Sequence, residues 1–290
     1  MADGRITICD LLEFKRAGRR FAAVSCYDYT TARQVAAAGV EMILVGDSAA
    51  QALLGYDSTL PATMDFMVTL TGGVRRGAPG VCLVADMPFL SYQTSIADAV
   101  RNAGRFVQEA GAQVIKIEAT AAHLDVIRAV SDAGMAVMAH IGIRPQSIAK
   151  LGRLKAEGTT ADLAWELVEL GRKMVQAGAS ALLLEGTARE VSKIVTAESA
   201  VPVVSCGSGP DCDGQILIIT DILGLSEGKL PKFSQAFGLL SGPMTAAVAE
   251  YAEQVRAGAF PDDAHCYHIR AGELEKLEAI LKSGRAGAQG

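Results

Sequence analysis

Four times along the chain an Ala-Gly pair closes a helical stretch and is followed by a short apolar run ending in a polar or ionisable residue. Ala38-Gly39 leads to Asp47, Ala110-Gly111 to Glu118, Ala133-Gly134 to His140, and Ala177-Gly178 to Glu185. Glycine accepts the left-handed conformation at a helix C-terminus, and a strand of a parallel sheet is apolar on both faces. The recurrence therefore predicts an α/β fold built on a parallel sheet. In such folds the ligand sits beyond the carboxyl ends of the strands, where Asp47, Glu118, His140 and Glu185 all fall.

A chain of 290 residues suits either two small domains or one large barrel, and the repeat selects the barrel. Strands are expected at 21–26, 42–46, 81–85, 114–118, 136–140, 181–185, 201–205 and 216–219. Helices are expected at 30–38, capped by Thr30 or Thr31, and at 65–76, 95–110, 123–133 and 161–177. The long connection after Asp47 is too long for filler and is read as functional, and the loop 141–160, with Arg144, Lys150, Arg153 and Lys155, is placed over the barrel mouth. Residues 1–260 are read as one (β/α)8 TIM barrel. Residues 261–290 are read as a tail with a short charged helix at 272–282 and a disordered end at 285–290.

Composition narrows the function classes. Half the residues are hydrophobic but only 5% are aromatic, so the core must be filled by Val, Ile, Leu and Ala. A net charge of −5 speaks against a nucleic-acid footprint. No run approaches the ~18 apolar residues that span a bilayer. Asp3, Arg5, Asp10, Glu13 and Lys15 interrupt the N-terminal stretch, so no secretory signal is read and a cytoplasmic location is expected. The six cysteines lack C-x-x-C spacing and are read as reduced thiols; Cys26 and Cys206, at strand ends, are read as small buried hydrophobes, with lining of the site as the alternative.

The strand-end acids carry the chemistry. Asp47, Asp86 and Glu118 converge from neighbouring strands, and three carboxylates on one rim repel one another unless protons or a cation compensate. A hard divalent ion with oxygen ligands is the simplest remedy, and Mg²⁺ suits best; no paired His/Cys set favours zinc. Capping of helices or loop amides is the alternative for each acid alone. Lys116 lies two residues before Glu118 and so shares its face of the strand. It is read as the anchor of an anionic substrate, with a buried ion pair to Glu118 or Asp86 as the competing reading. Glu185, some strands away, is the candidate general base for a carbon acid, and otherwise a loop-amide acceptor. His140 is a hydrogen-bonded spacer or a donor to a developing enolate oxygen. Gly207-Ser208-Gly209 is weak as a phosphate loop because Asp211 and Asp213 stand beside it. His265 and His268 near Asp262 and Asp263 read as a solvated loop rather than a metal patch.

Several motifs, in order, resemble one family. They are Tyr27-Asp28-Tyr29, Val45-Gly46-Asp47-Ser48, Leu54-Gly55-Tyr56-Asp57-Ser58-Thr59-Leu60-Pro61, Ala85-Asp86-Met87-Pro88-Phe89 with Ser91-Tyr92-Gln93, and Lys116-Ile117-Glu118. His140-Ile141-Gly142 with Pro145-Gln146-Ser147, Asp213-Gly214-Gln215, Ala257-Gly258-Ala259-Phe260-Pro261 and His265 continue them. Together they are similar to the ketopantoate hydroxymethyltransferase (3-methyl-2-oxobutanoate hydroxymethyltransferase) family over most of the chain.

The resemblance implies a (β/α)8 barrel of the phosphoenolpyruvate/pyruvate type that assembles as a homo-oligomer, a decamer. It implies Mg²⁺ on Asp47 and Asp86 with Glu118 helping through the metal's shell, and Ser48 and Lys116 on the substrate carboxylate. Glu185 would take the C3 proton of 3-methyl-2-oxobutanoate, and 5,10-methylenetetrahydrofolate would supply the one-carbon unit, giving 2-dehydropantoate for pantothenate biosynthesis. The chain departs from the family's usual pattern at Ala49-Ala50-Gln51, Leu90, 153–158, Gly186-Thr187-Ala188 and 205–209. These departures keep open a carbon–carbon lyase or aldolase-type paralogue on a different 2-oxo acid; a non-catalytic barrel that binds a 2-oxo acid is the alternative of another class.

Overall fold

The computed structural model describes residues 4–286. The chain opens with α1 (Ile8–Arg16). Eight strands follow: β1 (Phe21–Ser25), β2 (Met42–Val45), β3 (Cys82–Asp86), β4 (Val114–Glu118), β5 (Ala136–Gly142), β6 (Ala181–Glu185), β7 (Val203–Cys206) and β8 (Gly214–Ile218). They close in sequence order into a barrel in which each pairing is parallel, as the apolar runs predict. The helices between and after them are α2 (Tyr29–Ala37), α3 (Ala49–Leu54), α4 (Met64–Gly77), α5 (Ile96–Ala110), α6 (Leu124–Asp132) and α7 (Ile148–Leu151). Then come α8 (Ala161–Gln176), α9 (Arg189–Glu198), α10 (Ile219–Ile222), α11 (Ser241–Arg256) and α12 (Glu273–Ala286).

The four Ala-Gly signals end helices as expected: Gly39, Gly111, Gly134 and Gly178 have φ of 81°, 70°, 89° and 103°. Helix starts carry side-chain caps, Thr63 on α4, Ser95 on α5 and Thr160 on α8. The cap of α2 is Asp28 and not Thr30 or Thr31: Asp28 is extended, and its carboxylate accepts the Thr31 amide at 2.8 Å. β5 runs two residues past His140, because Ile141 and Gly142 pair with Leu184 and Glu185 of β6. The loop that follows is partly helical, with a 3-10 turn at Pro145–Ser147 leading into α7.

Strand alternation sorts the core into two layers. Phe21, Ala23, Met42, Leu44, Val84, Val114, Met138, Leu183, Val204 and Ile216 fill the barrel interior, and Leu11 of α1 packs into the same cluster. Ile43, Val45, Leu83, Ile115, Ile117, Val137, Ile141, Leu182 and Leu184 face the helices. Inward parity continues to Ser25, Asp86, Lys116, Glu118, His140, Glu185 and Cys206, so on six of the eight strands polar or ionisable residues continue the inner layer, while β8 ends on Ile218. Gly214 starts β8 where the Phe21 ring presses in; a Cβ there would lie 2.4 Å from it.

The outer layer carries much of the stability. Phe106 of α5 is fully buried in it. Phe106→Ala is expected to destabilise the protein by about 3–5 kcal/mol, through lost transfer free energy and the cavity left behind. Urea unfolding followed by circular dichroism checks this, and a change under about 1 kcal/mol would mean that α5 does not hold its place through this ring.

By internal contacts the chain divides into a unit ending at Gly238, which contains the barrel strands, and one beginning at Leu239, which contains α11 and α12. The charged helix expected at 272–282 is α12. Its last residue is Ala286, so 285 and 286 are helical, and 287–290 of the expected disordered end lie outside the described residues.

Candidate active site

A cavity of about 250 Å³ opens at the carboxyl ends of the strands. Asp47, Ser48, Asp86, Lys116, Glu118, His140 and Glu185 all line it, so the seven residues singled out in the sequence come together around one space. Ser25 and Cys206 complete the polar floor, while Ile148, Leu154, Pro231 and Phe233 contribute apolar walls. The apolar walls come from the segments that follow β5 and β8 and the floor largely from strand ends, which is the division expected of a barrel site.

Asp86 and Lys116 lie on adjacent paired positions of β3 and β4. Lys116 Nζ donates to Asp86 Oδ2 at 2.6 Å, and the Asp47 amide donates to the same oxygen at 3.1 Å. The ion-pair reading of Lys116 is thus realised with Asp86, and the ammonium still lines the cavity. Burial opposes the charge on Lys116, yet Asp86 and Asp47 outweigh it and raise its pKa, so the lysine stays protonated. Burial pushes the Asp86 carboxyl up; Lys116 pulls against that and the nearby Asp47 charge adds to it.

Glu118 pairs in register with His140, and Gly142 with Glu185. Burial raises the Glu118 pKa, opposed by His140 and by the Gln146 amide. Its oxygens accept from that amide at 2.9 Å and from the Ser147 hydroxyl at 3.3 Å. His140 is buried, with Nε2 3.3 Å from Glu185 Oε2 in an orientation that falls short of a hydrogen bond, and neither ring nitrogen has a partner. Gly142 has φ 99°, and a Cβ there would lie 2.3 Å from the Glu185 carbonyl oxygen, so glycine lets β5 run close under the Glu185 backbone. Glu185 keeps 21% side-chain exposure where Asp86 keeps 1%, which leaves its carboxylate free to meet a ligand. Burial, then the Glu185 charge, holds the Cys206 thiol well above its usual pKa, so it stays protonated and unreactive.

The acids suit a hard cation. Each of the two aspartates has one oxygen tied within the protein: Asp86 Oδ2 as above, and Asp47 Oδ2 by the Gln146 side chain at 2.9 Å. Asp86 Oδ1 is buried with no partner at all, the kind of orphan acceptor that a ligand is needed to satisfy. Among the described residues no three His, Cys, Asp or Glu side chains cluster tightly enough to enclose a metal by themselves. Mg²⁺ bound to proteins commonly takes one or two carboxylates and fills its remaining positions with water and substrate oxygens. His265 and His268 are exposed beside Asp262 and Asp263 and form no such cluster either.

Residue-type reasoning assigned no role to Gln146, Tyr92 or Tyr27. Gln146 and Tyr92 are buried beneath the acids, and Tyr27 hydrogen-bonds Ser48 across the cavity edge at 2.8 Å. Their only signal was membership of the ordered motifs. The six cysteines are free thiols, as their spacing predicts.

Known proteins share both the fold and the sequence. A 2,3-dimethylmalate lyase of the PEP mutase/isocitrate lyase superfamily aligns over 100% of this chain and 99% of its own with a TM-score of 0.56 at 18% identity. A phosphonopyruvate hydrolase, solved with oxalate and Mg²⁺, aligns over 97% and 98% with a TM-score of 0.58 at 17% identity. At that identity the likeness establishes the barrel alone. The sequence relatives are nearer: the 3-methyl-2-oxobutanoate hydroxymethyltransferase of Syntrophomonas wolfei is 42% identical over 94% of this chain and 99% of its own. Those of Geobacter metallireducens and Pelobacter propionicus are 42% and 44% identical, over 90% and 91% of this chain and 98% of each relative. The model of one family, described as ketopantoate hydroxymethyltransferase, matches residues 5–263, which include every residue of the cavity, and the chain belongs to that family.

Proposed function

We propose that the protein transfers a hydroxymethyl group to 3-methyl-2-oxobutanoate, giving 2-dehydropantoate, with 5,10-methylenetetrahydrofolate as the one-carbon donor and Mg²⁺ as cofactor. The observation that carries this reading is the pairing of two half-satisfied aspartates with an accessible glutamate across one small cavity. The relatives' shared name supplies the substrate.

Asp47 and Asp86 would hold the cation, with Glu118 acting through its water shell. Bound there, Mg²⁺ supplies positive charge beside the oxygens of the oxo acid as negative charge develops on them. Lys116 adds a fixed positive charge for the substrate carboxylate, and Ser48 places its hydroxyl on the same group. Glu185 takes the C3 proton, and the electron pair released forms the enolate. His140, buried beside Glu185, donates toward the enolate oxygen or holds the base in place. The nucleophilic C3 then bonds to the donor's methylene carbon, whose two bonds to folate nitrogens break; one water supplies the hydroxyl oxygen, and its second proton together with the proton taken from C3 leave on the nitrogens of tetrahydrofolate. The polar floor holds the carboxyl end of the substrate, and the walls of Ile148, Leu154 and Phe233 take its apolar end.

We further infer a cytoplasmic homo-oligomer, a decamer by family resemblance. No helix among the described residues is long and apolar enough to cross a membrane. Light scattering of the purified protein checks the assembly.

Proton exchange tests the function directly. With Mg²⁺ and 3-methyl-2-oxobutanoate in D₂O, the C3 proton signal is expected to disappear by NMR, and a chelator is expected to stop the exchange. Adding 5,10-methylenetetrahydrofolate is then expected to yield 2-dehydropantoate. Exchange without product would move the protein to the lyase-type reading on another oxo acid. No exchange at all would leave a binding barrel.

A further inference from the structure

We propose that Gln146 is the positioning residue that orients Asp47 for the divalent cation and couples it to Glu118, an inference that rests on the metal reading above. The side-chain amide of Gln146 is buried and fully engaged. Its Nε2 donates to Asp47 Oδ2 and to the Met87 carbonyl, both at 2.9 Å. Its Oε1 accepts from Gln93 Nε2 at 3.2 Å and shares the Tyr92 hydroxyl, 2.8 Å away, with the Glu118 carbonyl. Turning the amide over would set its oxygen against a carboxylate and a carbonyl, so only one orientation satisfies the network.

The consequence is geometric. With Oδ2 held by Gln146, the Asp47 carboxylate cannot rotate freely, and Oδ1 is the oxygen left for a cation. The backbone of the same residue binds Glu118 Oε2, which ties an acid of β4 and the acid that follows β2 to one rigid turn, Pro145–Ser147. Oxygen ligands for Mg²⁺ must meet near-ideal octahedral geometry, so a fixed carboxylate matters more here than for a larger ion. Partners that orient a metal ligand typically change metal affinity or activity by about 10- to 100-fold when removed.

The test measures metal binding apart from turnover. Mn²⁺ is titrated by electron paramagnetic resonance into the wild-type protein and into Gln146→Leu, which keeps the volume and removes both donors. Gln146→Leu is expected to bind Mn²⁺ about 10- to 100-fold more weakly. Its kcat is expected to recover largely at saturating Mg²⁺. A purely structural role would lower the unfolding temperature and leave the Mn²⁺ affinity of the folded protein unchanged, and that result overturns the proposal. Should Gln146→Leu fail to fold, Tyr92→Phe, which removes a donor to Oε1, decides: a several-fold weaker Mn²⁺ affinity supports the proposal, and an unchanged one overturns it. Wild-type protein that binds no Mn²⁺ with the oxo acid present would instead overturn the metal reading itself, and this inference with it.

Discussion

Asp47→Asn is expected to lower kcat/KM by on the order of 10³-fold while leaving the barrel folded, because the substitution removes one ligand charge and little else. The asparagine oxygen can still accept from Gln146 Nε2, so the hydrogen bond that holds the side chain is kept. Asp86 is the poorer choice for this experiment. Its carboxylate is the partner of buried Lys116, and neutralising it strands an ammonium at 7% exposure, which confounds catalysis with folding. The measurement is a pair: steady-state kinetics over a range of Mg²⁺, and Mn²⁺ titration of the same preparation. The Mn²⁺ affinity is expected to fall by more than the roughly 100-fold that an outer partner such as Gln146 accounts for. Undiminished binding would remove Asp47 from the ligand set, and with it the two-aspartate site on which the proposed chemistry stands.

The parts of this protein legible in its sequence are those that repeat. A barrel states its plan many times over: four times here an Ala-Gly pair closes a helix, an apolar strand follows, and a polar or ionisable residue ends it. Strand parity then carried Lys116 and Glu118 to the same interior face, and the structure has both lining the cavity. What could not be read is what happens once only. The start of β8 falls at Gly214, which reads as a turn; it is a strand residue because it pairs with Phe21 of β1 and Val204 of β7, and it is glycine because the Phe21 ring occupies the space a side chain would need. The helix α1 carried a capping signal in Thr7 and Asp10, yet its burial depends on Leu11 meeting a barrel interior assembled by distant strands. Gln146 is the sharpest case at the site. A glutamine in a loop has no signature of its own, and its contacts reach Asp47 and Glu118, far away in sequence. Lys116 had two readings because parity gives a face and not a partner; only the register of β3 against β4 sets Asp86 opposite it.

Glu185→Gln is expected to abolish exchange of the C3 proton, slowing it by about 10²- to 10⁴-fold, with Mn²⁺ affinity unchanged. The glutamine keeps the shape and the approach to His140 but cannot accept a proton. Position argues for Glu185 over its neighbour as the base. His140 is almost wholly buried, while the Glu185 side chain keeps access to the cavity, and proton abstraction needs reach before it needs basicity. The structure also supports the backbone beneath it: Gly142 allows β5 to pass within contact of the Glu185 carbonyl, and the Ile143 amide donates to that carbonyl at 2.8 Å. Such anchoring holds the strand end that carries the base while its side chain stays free to meet the substrate. His140→Gln separates the two roles. If Glu185 is the base, His140→Gln slows exchange less than Glu185→Gln does. Exchange that survives in Glu185→Gln and vanishes in His140→Gln would reverse the assignment, making the histidine the proton acceptor and the glutamate the group that orients it.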